Sequence, residues 1–466
     1  MVFYRDLRNR RLFSESEKDW VSRRLLDLRA QLRTPAPEGV PQRTRESSLI
    51  IGTWNIRDFD NNKFKHGPRR RESFLYIAEV ISAFDICAIQ EINEDLDPLR
   101  QVLRLMGPDW DFIATDVTVG ASGNRERMAF VYDKSKVRFR HIAGEIVLPK
   151  HALLPDEQQF ARTPFMVSFQ AGWFKFSLCT VHIYFGSNAK NSDGYKRRVA
   201  EIEYIAREMA RRAEREDENY ILLGDFNIKN TMDETMKALT KAGFILPPEL
   251  FPSNIKGTKF YDQIAFRTRK DECTFLSAGA FNFTKSLFKD EHYAHYAPVL
   301  PDRHRDLKPD GNPTDKGKDK AYFKQRWMTW QMSDHLPLWV ELAIDFSDEH
   351  LLKNITADAL DSPAQKEFLA EVDDLSFHHG DAPKLSESGE GPEEPRHLSK
   401  AKKRKRPKLP SKDKVGTARP DMPLTIGEAW RIFWFVATGK ADAIRRERRA
   451  KEEAARTKKP RKAKLP

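Results

Sequence analysis

Residues 48–346 are predicted to form one α/β domain whose sheet structure is partly antiparallel. Three observations predict it. From Ser48 onward, short runs rich in β-branched and aromatic residues alternate with longer amphipathic ones, the pattern of strands interleaved with helices. The last strands have no obvious crossover helices between them, which favours antiparallel pairing there. On both sides of this interval the composition changes, which bounds the domain.

The elements follow in order. Residues 1–47 read as an N-terminal helical arm. Ser14 and Glu17 have capping-box spacing, and Trp20, Leu25, Leu26, Leu28 and Leu32 fit one helix ending near Arg33. Thr34-Pro-Ala-Pro-Glu-Gly39 breaks it. Leu49–Trp54, Asp85–Gln90, Met128–Tyr132, Phe165–Phe169, Trp173–Val181, Tyr220–Leu223, Gln263–Phe266 and Leu336–Leu342 read as strands. Arg71–Phe84, Leu96–Leu105, Tyr195–Arg215 and Asp233–Ala242 read as helices. Asp302–Lys320, rich in Pro, Gly, Asp and Lys, reads as a loop inside the domain.

The chain has 466 residues, with 81 Lys+Arg against 69 Asp+Glu, a formal charge of +12. That surplus is local. Residues 400–466 hold 23 basic against 7 acidic residues, a net +16, while residues 351–399 hold 4 against 11, a net −7. Residues 1–350 are left at about +3. The chain therefore continues past the domain as an acidic linker, 347–399, and a basic tail, 400–466, in which Trp430–Phe435 suggests a short aromatic helix. Three cysteines without close spacing exclude a disulfide scaffold and a cysteine-ligated zinc site. No apolar run has the length of a membrane span, and the first 30 residues lack a secretory pattern. The expected compartment is cytoplasmic, or nuclear in a eukaryote, and the default state is a monomer.

Five strand ends terminate in polar residues of one chemical kind: Thr53-Trp-Asn55, Gln90-Glu91, Thr180-Val-His182, Gly224-Asp225-Phe-Asn227 and Ser333-Asp334-His335. An apolar strand running straight into an acid, amide or imidazole is how a rigid sheet presents a site. Carboxylates with amide oxygens suit a hard cation such as Mg²⁺, which keeps several waters and takes few protein ligands. Two histidines far apart in sequence, with no HExxH or CxxC companion, suit proton transfer and oxyanion stabilisation better than zinc. Singly, each motif is more often a turn or a strand end; in this order and setting the set is hard to obtain by chance.

As a set, these motifs resemble the endonuclease/exonuclease/phosphatase superfamily over about Ser48–Leu342, and within it the deoxyribonuclease I-like branch. Trp54-Asn-Ile-Arg57, Arg125-Glu126-Arg127, Phe160-Ala-Arg162-Thr-Pro164 and Phe260-Tyr-Asp262-Gln-Ile264 carry the closer likeness. The resemblance implies a four-layer α/β sandwich, two packed sheets flanked by helices, with the site at one rim. It implies that Glu91, Asp334 and Asn55 hold Mg²⁺, with Mn²⁺ as a substitute. His182 would be oriented by Glu126 and His335 by Asp262, Asp225 and Asn227 would orient water and a phosphate oxygen, and Arg57 and Arg162 would grip phosphates.

The implied reaction is metal-dependent phosphodiester hydrolysis, that of a Mg²⁺-dependent endonuclease with DNA as its nucleic-acid partner. Which histidine acts as acid and which as base stays open at this level. Asn93 and Asn124 stand where that branch carries an arginine and a tyrosine that read duplex DNA, which weighs against minor-groove binding. Lys402, Lys403, Arg404, Lys405 and Arg406 form the densest block of a tail suited to tethering nucleic acid. The alternatives are a phosphatase or phospholipase of the same superfamily, acting on inositol phosphates or sphingomyelin, and a non-catalytic binding module.

Overall fold

The computed structural model describes residues 2–60, 64–118, 124–154, 158–269, 272–301 and 316–352. The acidic linker beyond Leu352, the basic tail with Lys402–Arg406 and the aromatic run Trp430–Phe435 lie outside the described residues. So does most of the polar stretch 302–320, although its last residues, 316–320, read as loop, belong to the helix Lys316–Tyr322.

Two sheets carry the domain. The first has six strands in the order β10-β11-β1-β2-β4-β3, with β1 Ser48–Phe59, β2 Ile86–Ile92, β3 Trp110–Ala114, β4 Arg127–Asp133, β10 Thr274–Ala280 and β11 Leu338–Ala343. The second has five in the order β5-β6-β7-β8-β9: Val137–Glu145, Phe165–Ala171, Phe174–His182, Asn219–Asp225 and Asp262–Arg267. Each sheet has one parallel pair near its middle, β1 with β2 and β7 with β8. Every other pairing is antiparallel. Helices α2 Arg71–Ser82 and α3 Asp97–Met106 follow strands of the first sheet, and α4 Asp193–Glu216 and α5 Glu234–Lys241 those of the second.

Strand alternation builds three buried layers. In β1, Leu49 and Ile51 point between the sheets, with Phe130, Phe169, Phe176 and Leu223. Ile50, Trp54 and Ile56 point the other way, into the layer with α2 and α3. Met209, Ile202 and Leu239 cover the far side of the second sheet. Helix, sheet, sheet, helix is the expected four-layer sandwich. Burial on both faces explains why the first half of β1, Leu49–Ile51 above all, is apolar, while the strand as a whole is buried almost throughout.

Helix α1, Glu15–Leu32, begins on the predicted capping box, with Ser14 and Glu17 exchanging backbone-to-side-chain hydrogen bonds. It buries Val21, Leu25, Leu28 and Leu32 in the α2 layer. The long connection between β10 and β11 joins the same layer through Tyr296, Phe323 and Trp327, and Tyr296 Oη accepts from Trp20 Nε1 at 3.1 Å. The strands absent from the sequence reading, β3, β5 and β10, all lie at sheet edges. Edge strands are covered on fewer sides, so their hydrophobic alternation is weak. No helix among the described residues is long and apolar enough to cross a membrane.

Candidate active site

The carboxyl ends of the two parallel pairs meet at one rim, and there all five sequence motifs converge. A parallel pair puts both strand ends on the same side, so β1 and β2 deliver Asn55 and Glu91 together, while β7 and β8 deliver His182 and Asp225 in direct register. Asn55 Nδ2 donates to Glu91 Oε1 at 2.9 Å and across the sandwich to Asp225 Oδ2 at 3.1 Å, joining the sheets. Gln90, which no sequence motif assigned a role of its own, makes a second bridge from Nε2 to Thr180 Oγ1 at 2.9 Å.

Local backbone geometry aims these groups. Glu91 has φ +61° and Asn227 φ +54°, left-handed conformations that turn each chain sharply as it leaves its strand. Gly224 sits at φ +129°, where a Cβ would fall 2.2 Å from Val181 O, so the approach of β8 to β7 requires glycine. Asp225 Oδ1 then accepts from Asn227 N–H at 2.8 Å, closing the turn, and Asn227 Nδ2 donates to Ile183 O at 2.8 Å. Ser333 Oγ donates to Asn55 O at 2.6 Å and accepts from His335 N–H at 3.0 Å, tying the last motif to the first.

Two imidazole–carboxylate pairs face each other across Asp225. His335 Nδ1 lies 2.7 Å from Asp262 Oδ2, and its Nε2 lies 3.9 Å from Asp225 Oδ2. His182 Nδ1 lies 3.1 Å from Glu126 Oε2, and its Nε2 lies 3.6 Å from the same Asp225 oxygen and 3.9 Å from Glu91 Oε1. Burial opposes a charge on His335, but Asp262 and then Asp225 outweigh it and hold the imidazolium well above the usual histidine range. Burial likewise opposes the Glu126 carboxylate, yet His182 and Arg162 hold it well below the usual range. Burial raises Glu91 and Asp262, each partly offset by its histidine.

The sequence-predicted residues are thus brought together, with distinctions. Arg162, expected to grip a phosphate, is buried with Nε 2.6 Å from Glu126 Oε2, so at least part of its guanidinium holds that carboxylate. Arg57 is half-buried, donating to Thr329 Oγ1 with its guanidinium 5.1 Å over the Phe64 ring. Asp334 is exposed on the rim. Asn93 is buried and donates to Asp58 Oδ1 at 3.1 Å, so it supports the loop beside Glu91 and does not reach outward.

The site suits a hard cation on an observation independent of motif. Asn55 Oδ1 is a buried acceptor without a hydrogen-bond partner among the described residues, because Asn55 Nδ2 already serves both neighbouring carboxylates. Around it stand Glu91, Glu126, Asp225, Asp262 and Asp334, five carboxylates against two imidazoles and Arg162, an excess of negative charge. An unpartnered amide oxygen next to excess carboxylate is what a divalent cation needs. Asp225, Asp262 and His335 also bring possible ligand atoms within 4.8 Å of one another. There, however, His335 Nδ1 and Asp262 Oδ2 are engaged with each other, so we read that triad as a proton-handling set.

Residues 52–328 match the endonuclease/exonuclease/phosphatase family. No curated protein matches the chain by sequence. Among solved structures, an endonuclease/exonuclease/phosphatase family protein from Bacteroides thetaiotaomicron superposes with TM-score 0.40 at 16% identity, covering 64% of this chain and 98% of its own. The mannosyl-6-phosphatase of the same bacterium gives 0.41 at 17%, covering 63% and 99%. D. rerio TDP2, complexed with a single-strand DNA product, gives 0.39 at 14%, covering 64% and 99%.

Proposed function

The chain belongs to the endonuclease/exonuclease/phosphatase family of phosphate-ester hydrolases, and from that premise we propose that it is a Mg²⁺-dependent phosphodiesterase, an endonuclease acting on DNA. The observation that carries the reading is the meeting of two buried imidazole–carboxylate pairs at Asp225 Oδ2, with His335 and His182 Nε2 at 3.9 and 3.6 Å. A binding module has no use for this arrangement. Two opposed proton-handling arms are what in-line displacement requires.

Mg²⁺, or Mn²⁺ in its place, held by Glu91, Asp334 and Asn55 Oδ1, would neutralise the charge that develops on the phosphoryl and leaving oxygens. His335, which Asp262 and Asp225 favour as the imidazolium, is assigned to the phosphoryl oxygens and the leaving group. Deprotonation of the attacking water falls to the opposite arm, His182 with Glu126, with Asp225 and Asn227 holding that water in line. Arg57, at the rim, contacts an adjacent phosphate.

The near-neutral charge of residues 1–350 offers little long-range attraction for a polyanion, whereas the +16 of residues 400–466 does. We assign that segment, with Lys402–Arg406 as its densest block, to holding DNA near a weakly binding catalytic domain. The deciding experiment offers supercoiled plasmid, linear duplex and single-stranded DNA beside inositol phosphates, sphingomyelin and sugar phosphates, all with Mg²⁺. DNA cleavage supports the proposal. Phosphate release from a monoester, or sphingomyelin turnover, without DNA cleavage replaces it with the phosphatase or phospholipase reading.

A further inference from the structure

Two arginines outside the catalytic set are built into the molecule in the same way. Arg69, which precedes α2, is fully buried, with its guanidinium 5.2 Å from the Phe59 ring and 5.1 Å from the Trp330 ring. It donates to three backbone carbonyls: Arg57 O at 2.8 Å, Gln331 O at 3.0 Å and Met332 O at 2.9 Å. Arg198, in the second turn of α4, is equally buried, with its guanidinium 5.1 Å from the Phe185 ring and 5.8 Å from the Tyr195 ring. It also donates to three carbonyls: Tyr184 O at 3.2 Å, Asn227 O at 3.1 Å and Ser187 O at 3.0 Å.

The carbonyls are not scattered. Those of Arg69 belong to the segment after Asn55 and to the segment just before Ser333-Asp334-His335. Those of Arg198 belong to the segment after His182 and to the turn that closes on Asp225. Each arginine therefore joins two of the site-bearing segments of one sheet, and each sheet has one such arginine.

Burying a guanidinium is costly unless its donors are met; carbonyls meet all three nitrogens of Arg198 and both Nη atoms of Arg69, whose Nε has no hydrogen-bond partner among the described residues. Among the described residues Arg198 has no carboxylate in ion-pair contact, and Arg69 has only Asp60 at 3.7 Å. Stability alone is served as well by an apolar side chain of similar volume. What an apolar side chain cannot do is fix three carbonyls from two segments in one plane, the geometry in which a guanidinium presents its donors.

We propose that Arg69 and Arg198 are paired positioning residues, Arg69 setting the place of the His335 arm and Arg198 that of the His182 arm. The inference rests on the site as read above, and it adds that the two arms are held independently. In-line displacement needs both at once, so slackening either clamp reduces the chemical step more than substrate capture.

The test uses the full chain with Arg69→Met and Arg198→Met made singly, and Arg69→Lys and Arg198→Lys as milder substitutes should a Met variant not fold. Ring ¹H–¹⁵N resonances of His335 and His182 are assigned from the His335→Gln and His182→Gln spectra. Hydrolysis of bis(4-nitrophenyl) phosphate with Mg²⁺ supplies kcat and KM. Loss of Arg69 should move the His335 resonance and leave that of His182; loss of Arg198 should do the reverse. In each, kcat should fall on the order of 100-fold with KM within about twofold. Resonances that both move in both variants, or stay in place in both, overturn the proposal, as does a loss carried by KM alone. If the wild-type protein does not hydrolyse the probe, the phosphodiesterase reading fails, and the spectra alone still decide the clamps.

Discussion

Nδ1 of His335 lies 2.7 Å from Oδ2 of Asp262, with both groups buried and Ser253 Oγ accepting from the Asp262 backbone N–H at 3.0 Å. This contact fixes which ring nitrogen faces the centre of the site. Nε2, the other nitrogen, is the one directed toward Asp225.

Asp262→Asn keeps the shape and removes the charge that holds His335 protonated. The expected loss in kcat is about 10²–10⁴-fold, the range supplied by one positioned proton-transfer group. Steady-state kinetics on a phosphodiester checks it, and the alkaline limb of the kcat/KM profile should move to lower pH in the variant.

The same pair makes stability depend on pH. An unfolded histidine titrates near about 6.5, whereas His335 in the folded protein titrates well above that. The stabilisation is therefore complete below about pH 6.5 and is lost as pH rises through the folded value, because the folded state binds the extra proton between the two. Melting temperature followed upward from pH 6.5 should decline more steeply in the wild-type protein than in Asp262→Asn.

Glu126 has the opposite sign. His182 and Arg162 hold its carboxyl well below the ordinary range, so its contribution is present above about pH 4.3 and is lost as pH falls through the folded value. Glu126→Gln leaves Arg162 buried against a neutral amide, which should cost roughly 3 kcal/mol at neutral pH. Denaturant unfolding measures this, and the gap between wild type and variant should narrow in acid.

The cation can be tested apart from turnover. Glu91→Gln retains the backbone bond from Asp58 N–H to the side chain but removes a carboxylate beside Asn55 Oδ1. Mn²⁺ binding followed by electron paramagnetic resonance should weaken about 10–100-fold. EDTA should abolish activity in the wild-type protein, with Mg²⁺ or Mn²⁺ restoring it.

Much of this site was legible because chemistry-bearing residues sit at the ends of apolar strands, a pattern local to a few residues each. The double burial of β1, β2, β7 and β8 made those strands plain, whereas edge strands β3, β5 and β10 alternate weakly and left little trace. Arg69 and Arg198 were not legible. Their partners are carbonyls, which any residue type carries, and Arg69 meets Gln331 and Met332 across more than 260 positions of sequence. The inward turn of Arg162 was hidden for the same reason: it depends on Glu126, 36 residues away, and on depth that spacing does not encode.

The tail makes a separable prediction. Removing residues 400–466 takes away a net +16 and should raise the KM for DNA while flattening its dependence on salt. The kcat on bis(4-nitrophenyl) phosphate, too small to engage a tether, should stay unchanged.

The central claim is metal-dependent phosphodiester cleavage by the two histidine arms. Its most direct measurement is the rate at which supercoiled plasmid is nicked in Mg²⁺ by the wild-type protein, by His335→Ala and by His182→Ala. Nicking by the wild type, lost in EDTA and reduced at least about 100-fold in each variant, is the predicted result. Plasmid left intact by the wild-type protein, or nicked equally by all three, contradicts the account.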